Sequence, residues 1–429
     1  MIPDCICKKS GKLGYKSDSL EVKYLIKKLI THYKQILIYC VIAVVVGVVV
    51  GVLDTIFGKV LLEIGKMRSG NEWKLIPFLP VAGVVIMLLY RQFSKESLKG
   101  MTLVFKTGHG EEQKIPILLV PLVMIGTWIT HLFGGSAGRE GVAVQVGATV
   151  AHALGRKLRF PDNARVLLIT GMASGFAGLF QTPLAATFFA LEVLVAGSIL
   201  YEALLPALLA SYVASFTSHT LGLEKFQVAI VPEITFSMET VAKLILIGVI
   251  FGVTGGLFAH LLSYAKKTAE KLLDHPIKRI LCMGVLLSVL LLVFHMGRYS
   301  GLGTNLITAS FSGGTIYWYD WILKILLTIL TLAAGYQGGE VTPLFSIGAA
   351  LGICLGVLLG LPPVLVAALG YAAVFGSATN TLLAPILIGV EVFGGSCFPG
   401  FAVVCALAYV CNGNKTIYTA QKQSGFFNS

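Results

Sequence analysis

From Val341 to Val390 the chain carries no Asp, Glu, Lys or Arg. A stretch of that length cannot form the wet surface of a soluble domain, and it exceeds the ~20 residues a helix needs to cross a bilayer. Further apolar runs lie at Ile36 to Phe57, Leu75 to Tyr90, Ile117 to Phe133, Val166 to Leu191, Ala203 to Leu223, Leu244 to Ser263, Ile280 to Met296 and Ile325 to Gly338. Charged residues make up 13% of the chain and hydrophobic ones 56%, against roughly 25% charged in soluble domains. The class is an all-α integral membrane protein. Pro and Gly interrupt the longest runs at Gln181-Thr-Pro183 and Gly360-Leu-Pro-Pro363, which predicts short or tilted helices rather than an up-and-down bundle. Broken helices of this kind line binding sites in transporters.

The 33 Lys and Arg exceed the 21 Asp and Glu. In a soluble protein that excess would suggest nucleic acid, but here it collects in the N-terminal segment and the connecting loops. Lys8, Lys9, Lys12, Lys16, Lys23, Lys27, Lys28 and Lys34 precede the first apolar run, so the positive-inside rule puts the N-terminus in the cytoplasm. Residues 1–35 read as a loose tail followed, from Ser19 to Gln35, by an amphipathic helix on the membrane surface. No small-residue cleavage site follows the basic region, which argues against a cleaved signal peptide. The eight cysteines show no metal spacing, and those from Cys40 to Cys405 fit reduced packing residues.

One carboxylate stands out in the glycine-rich stretch Gly134-Gly-Ser-Ala-Gly-Arg-Glu140-Gly-Val-Ala-Val-Gln-Val-Gly147. An ionised Glu in a hydrocarbon-like setting costs several kcal/mol unless it is partnered or unless exchanging a proton is its role. Glu140 opens an apolar segment with helical spacing of small residues. Backbone N–H groups at that helix N-terminus would hold either its carboxylate or an anion in its place. The bland alternative is a structural capping carboxylate.

The chain also repeats itself. A shift of 201 positions lays Gly138, Gly147, Ala148, Leu154 and Gly155 on Gly339, Gly348, Ala349, Leu355 and Gly356. A shift of 199 lays Gly171, Phe176, Thr182, Leu184, Ala185, Glu192 and Val193 on Gly370, Phe375, Thr381, Leu383, Ala384, Glu391 and Val392. Two near-equal offsets in consecutive blocks indicate a twofold internal repeat, with a first membrane repeat at 36–225 and a second at 239–411, followed by a terminal segment at 412–429. Gly147, Ala151 and Gly155 correspond to Gly348, Gly352 and Gly356, a small-residue helix face that lets neighbouring backbones approach. Val341 stands opposite Glu140. Repeat-built transporters bind substrate where the halves meet, with half-helix N-termini aimed at an anion.

Three motifs resemble the CLC chloride channels and proton-coupled anion transporters. Gly138-Arg139-Glu140-Gly141 is similar to the family's gating-glutamate motif. Gly339-Glu-Val341-Thr342-Pro343-Leu-Phe345 resembles its second-half anion motif, and Tyr418 its anion-coordinating tyrosine. The departures are informative. Lys99-Gly-Met101-Thr-Leu-Val-Phe105 matches the segment in which chloride-type members place an anion-binding Ser, so Met101 stands at that Ser. Val193 matches the inner proton-relay glutamate of coupled exchangers. This combination is similar to the bacterial fluoride/proton antiporters. The resemblance implies two inverted repeats with broken helices, a homodimer in the bacterial plasma membrane, fluoride and protons as substrates, and no cofactor. It also implies no cytoplasmic regulatory domains after Tyr418. The alternative within the family is a passive anion channel or a chloride/proton exchanger.

The implied anion ligands are Met101, Val341, Thr342 and Tyr418. Each also has a plainer explanation: packing for Met101, a helix start at Pro343 for Val341 and Thr342, and an interfacial aromatic for Tyr418. Arg139 either adds positive potential or pairs with a carboxylate. Glu192 and Glu391 occupy equivalent repeat positions, which favours a shared role accepting backbone N–H bonds; Glu192, next to Val193, is also a candidate on the proton path. Glu340 is a helix-terminus residue or a participant. An enzyme is the weak rival: Gly134-Gly-Ser136-Ala-Gly138 fits a hydrolase pattern that needs a preceding strand and an Asp/His pair, whereas here it abuts a membrane segment. His131 and His295 have no metal spacing, and no nucleotide-binding loop is present.

Overall fold

The computed structural model describes residues 14–112, 114–157, 164–230 and 237–424, with side chains of the first helix from residue 26 onward, 31 and 32 excepted. Cys5, Cys7, Lys8, Lys9 and Lys12 lie outside the described residues. The first half of the chain comprises α1 (Gly14–Arg68), α2 (Glu72–Leu75), α3 (Leu79–Phe93), α4 (Met101–Gly108), α5 (Leu119–Leu132), α6 (Glu140–Lys157), α7 (Ala164–Phe180), α8 (Pro183–Glu192) and α9 (Leu204–Thr220). The second comprises α10 (Met238–Leu272), α11 (Pro276–Val293), α12 (Thr304–Phe311), α13 (Asp320–Ala334), α14 (Val341–Leu359), α15 (Pro363–Thr379), α16 (Leu383–Phe393) and α17 (Phe398–Val410). Two short strands, β1 (Val195–Ala196) and β2 (Lys422–Gln423), pair in parallel.

Among the described residues, five helices are long and apolar enough to cross a membrane, and the other apolar helices run to only 10–17 residues. The interruptions fall where proline and glycine predict them. Gln181 adopts a left-handed φ of 56° between α7 and α8, and Gly360 a φ of 64° after α14, so neither run continues as one helix. The surface helix expected at Ser19 to Gln35 is not a separate element. It forms part of the 55-residue α1, because no Gly or Pro falls between Tyr15 and Val46 to break it. At 1.5 Å per residue that helix is about 80 Å long, so much of it must stand outside a bilayer core of ~30 Å.

The two repeats are inverted and meet in an antiparallel bridge at the positions that the 201-residue offset equates. Gly138 N donates to Gly339 O at 2.5 Å and Gly339 N to Gly138 O at 2.8 Å. From this bridge α6 and α14 depart, their first residues again 201 positions apart. Each packs on the following helix through glycine. A Cβ at Gly147 would lie 2.0 Å from Gly171 O, and one at Gly348 would lie 2.1 Å from Gly370 O, so a larger residue at either place would force two backbones apart. Around these contacts sits a continuous apolar core, including the Phe345–Tyr371 stack with ring centroids 4.1 Å apart.

Candidate functional site

The head of α14 holds the Glu140 side chain, which is fully buried. Thr342 donates both its backbone N–H (3.1 Å) and its hydroxyl (2.5 Å) to Glu140 Oε2. Arg139 N adds a weaker bond at 3.3 Å. The main donors are therefore those of the other repeat's helix start, not of the glutamate's own helix as the sequence suggests. The bridge explains this: by joining Gly138 to Gly339 it sets the residue two positions after one glycine against the residue three positions after the other. Glu140 Oε1 accepts no hydrogen bond, and Arg139 Nε stands 3.6 Å from it. Arg139 thus pairs with Glu140 itself, inside the protein.

Chemically this is a site for one negative charge. It offers an N–H at a helix N-terminus, a hydroxyl and a nearby guanidinium, enclosed in low dielectric, where charge-assisted bonds are strong. Val341 is buried beside it, at the first position of α14. Pro343 follows at the third, close enough to Gly138 that a Cβ there would lie 2.9 Å from Pro343 Cδ. A Cβ at Gly141 would lie 3.4 Å from Gly339 Cα.

Met101 and Tyr418 make no hydrogen bond to Glu140. They line a cavity of about 600 Å³ together with Gly338 and Glu340, which flank the bridge, and Lys266 and Gln145. Met101 opens α4 and is half-buried, with Gly100 before it at a φ of 51°. Tyr418 is buried rather than interfacial, its ring stacked on Phe105 at 5.0 Å and edge-on to Phe189 at 6.4 Å. Glu340 precedes α14 and lies 3.6 Å from Lys266 Nζ. A second cavity, of about 840 Å³, opens at the C-terminal end of α1, where Lys59, Arg68, His131, Glu224, Arg298 and Ser300 line it.

Glu192 and Glu391 share one geometry. Glu192 accepts from Leu382 N and Leu383 N (both 3.1 Å) and Ala384 N (2.8 Å), at the head of α16. Glu391 accepts from Leu184 N (3.1 Å) and Ala185 N (2.8 Å), at the head of α8. Each repeat thus caps a half-helix of the other.

The sequence does not single out Lys324. It is fully buried in α13, with Nζ donating to Ser136 Oγ (2.9 Å), Tyr299 O (3.0 Å) and Gly301 O (2.8 Å). A lone Lys near the start of an apolar run reads as an interfacial residue, and only the fold of residues 297–303 over α13 encloses it. Ser136 also bonds Thr328 Oγ1 at 2.9 Å. Its hydroxyl bonds Lys324 and Thr328, and among the described residues no His or Asp is a partner, so the Ser-His-Asp arrangement of that hydrolase pattern is not assembled here.

The bridge between inverted repeats, with a buried carboxylate at a half-helix head, defines a multi-helix membrane protein with a built site for one negative charge. A profile of the voltage-gated chloride channel family matches residues 82–413. The chain belongs to that family, whose members are the CLC channels and transporters. It is 37% identical over 364 residues to a chloride/fluoride channel protein of Pseudomonas syringae pv. tomato, covering 83% of this chain and 80% of that one. The crystal structure of a CLC-type fluoride/proton antiporter superposes with a TM-score of 0.90 at 51% identity, over 91% of this chain and 99% of the other. A slow cyanobacterial Cl⁻/H⁺ antiporter shares the fold, with a TM-score of 0.78 at 20% identity over 89% and 96% of the two chains. These relatives are described as channels and antiporters, not enzymes.

Proposed function

We propose that the chain is a fluoride/proton antiporter of the bacterial plasma membrane, working as a homodimer with a cytoplasmic N-terminus and exporting fluoride in exchange for protons. The observation that carries this reading is the hold of Thr342 N–H and O–H on Glu140. A carboxylate and an anion compete for the same two donors. When Glu140 takes up a proton its charge vanishes, its bonds to the donors weaken and its side chain leaves. Fluoride, a compact and strong hydrogen-bond acceptor, then takes the donors. When fluoride departs, the deprotonated carboxylate returns, so one proton route and one anion route share a single site.

Thr342 and Tyr418 are the hydroxyl ligands in this reading, while Val341 and Met101 narrow the path with apolar walls. Glu192 has a structural role in this reading, with both of its oxygens accepting backbone N–H bonds at the head of α16. A passive fluoride channel of the same architecture is the rival. In proteoliposomes, an outward fluoride gradient should drive protons inward against their own gradient, and Glu140→Gln should abolish that proton movement because Gln cannot titrate. Fluoride leak without proton flux in the wild type would establish the channel instead.

A further inference from the structure

The terminal segment that carries Tyr418 is fastened on both sides. Before the tyrosine, Ile417 N donates to Ala378 O at 2.9 Å; after it, Lys422 N donates to Leu194 O at 3.2 Å and Ser424 N to Ala196 O at 3.0 Å. Between these anchors lies Gln421, whose backbone N closes a turn on Tyr418 O at 2.9 Å. Its side-chain amide donates to Val193 O (2.9 Å) and to Thr379 O (3.0 Å). Those two carbonyls end α8 and α15, where a helix leaves acceptors without partners. Both amide donors being engaged fixes which end of the side chain is which. Gln421 Oε1 is left enclosed, with no protein donor.

An enclosed acceptor of this kind is satisfied by an ordered water. Its place is informative. Val193 is the position at which coupled exchangers carry an inner acid, and here its side chain is apolar and fully buried. Gln421 is the polar side chain bonded to that residue, half-buried between the buried Tyr418 and the exposed Lys422. The titratable groups around it are otherwise engaged: His109 Nε2 bonds Ala420 O at 3.1 Å, Glu111 pairs with Lys422 at 2.7 Å, and Glu192 caps α16.

Resting on the antiport reading above, we propose that Gln421 is a positioning residue for the inner leg of the proton path. Its Oε1 receives a water beside Val193 that takes a proton arriving from the Glu140 side and passes one on to the cytoplasm. The amide stays neutral throughout. A water chain anchored by an amide thus replaces a second acid.

The test is the ratio of protons to fluoride moved by the full-length protein in proteoliposomes, read with a pH-sensitive dye and a fluoride electrode. Gln421→Met removes both amide donors and the acceptor. It should lower the proton-to-fluoride ratio about tenfold, the value of one hydrogen bond in a rate, while fluoride still moves. Gln421→Glu keeps an acceptor for the water but gives up the donors to Val193 and Thr379, so it should retain the wild-type ratio even where fluoride KM rises as Tyr418 shifts. Wild-type coupling in Gln421→Met overturns the inference and leaves the antiport reading standing, as does loss of coupling in Gln421→Glu, which decides the matter alone should the Met variant not fold. An uncoupled wild type removes the antiport reading and the inference with it.

Discussion

Thr342→Val is the sharpest perturbation of the shared site. Valine keeps the shape and β-branching of threonine and leaves the backbone N–H of residue 342 in place, 3.1 Å from Glu140 Oε2. Only the hydroxyl, 2.5 Å from the same oxygen, is lost. A hydrogen bond to a charged partner contributes about 1.5–3 kcal/mol, equivalent to about 10- to 150-fold in an equilibrium constant. To read that cost on the anion alone, the competing carboxylate must be silenced first. Fluoride binding to Glu140→Gln and to Glu140→Gln/Thr342→Val, measured by isothermal titration calorimetry in detergent, should therefore differ by about 10- to 150-fold in Kd. Thr342→Ser in the same background, which keeps the hydroxyl, should stay close to its parent.

The same variant behaves differently when Glu140 is intact. Carboxylate and fluoride each lose one bond from the same hydroxyl, so the two losses offset and the apparent affinity shifts far less than in the Gln background. Competition for one donor set requires this asymmetry between backgrounds. Equal Kd values for Glu140→Gln with and without the hydroxyl would refute the idea that fluoride uses the donors that hold the carboxylate.

Two further outcomes test the scaffold. Glu192→Gln replaces a carboxylate facing three backbone N–H donors with a group that turns an NH2 toward them; stability measured by unfolding in detergent should fall by about 2–3 kcal/mol, with the proton-to-fluoride ratio of the folded fraction unchanged. Intact stability with lost coupling would instead put Glu192 on the proton path. Lys324→Met leaves Tyr299 O and Gly301 O without the donor that Nζ supplies, a loss of about 2–4 kcal/mol by the same measurement, and an unfolding midpoint at or above that of the wild type would show that this enclosed amine does not hold residues 299–301 in place.

Much of this architecture is written locally in the sequence. The charge-free stretch after Val341 fixes the class, Pro183 and Pro363 fix where helices break, and the offsets of 201 and 199 identify residues that do meet, Gly138 with Gly339 above all. Glu140 is conspicuous because a carboxylate in that setting is costly. What remains hidden depends on tertiary pairings, two of them across about half the chain. Nothing near Glu140 announces that Thr342, and not the start of its own helix, holds the carboxylate. Lys324 looks interfacial until residues 297–303 close over it. Gln421 lies beyond the last apolar run, where composition predicts only a polar tail, and its partners Val193 and Thr379 belong to two different repeats.

The reciprocal bonds suggest why one asymmetric pair suffices for function. At Gly138 and Gly339 each repeat bonds the other in the same way, and at Glu192 and Glu391 each caps a half-helix of the other. These symmetric pairs hold the half-helix heads of the two repeats against each other. The 201-residue offset that equates Glu140 with Val341 also equates Gly141 with Thr342. Glu140 reaches across to Thr342, but the mirror contact, from residue 341 to Gly141, has only a valine side chain to offer. A second acid there would place two carboxylates in one enclosed site, where like charges raise the cost of ionising both. It would also fill the space an anion needs. On the proposed antiport reading, valine in its place leaves one exchangeable negative charge, supplied by Glu140 or by the transported ion.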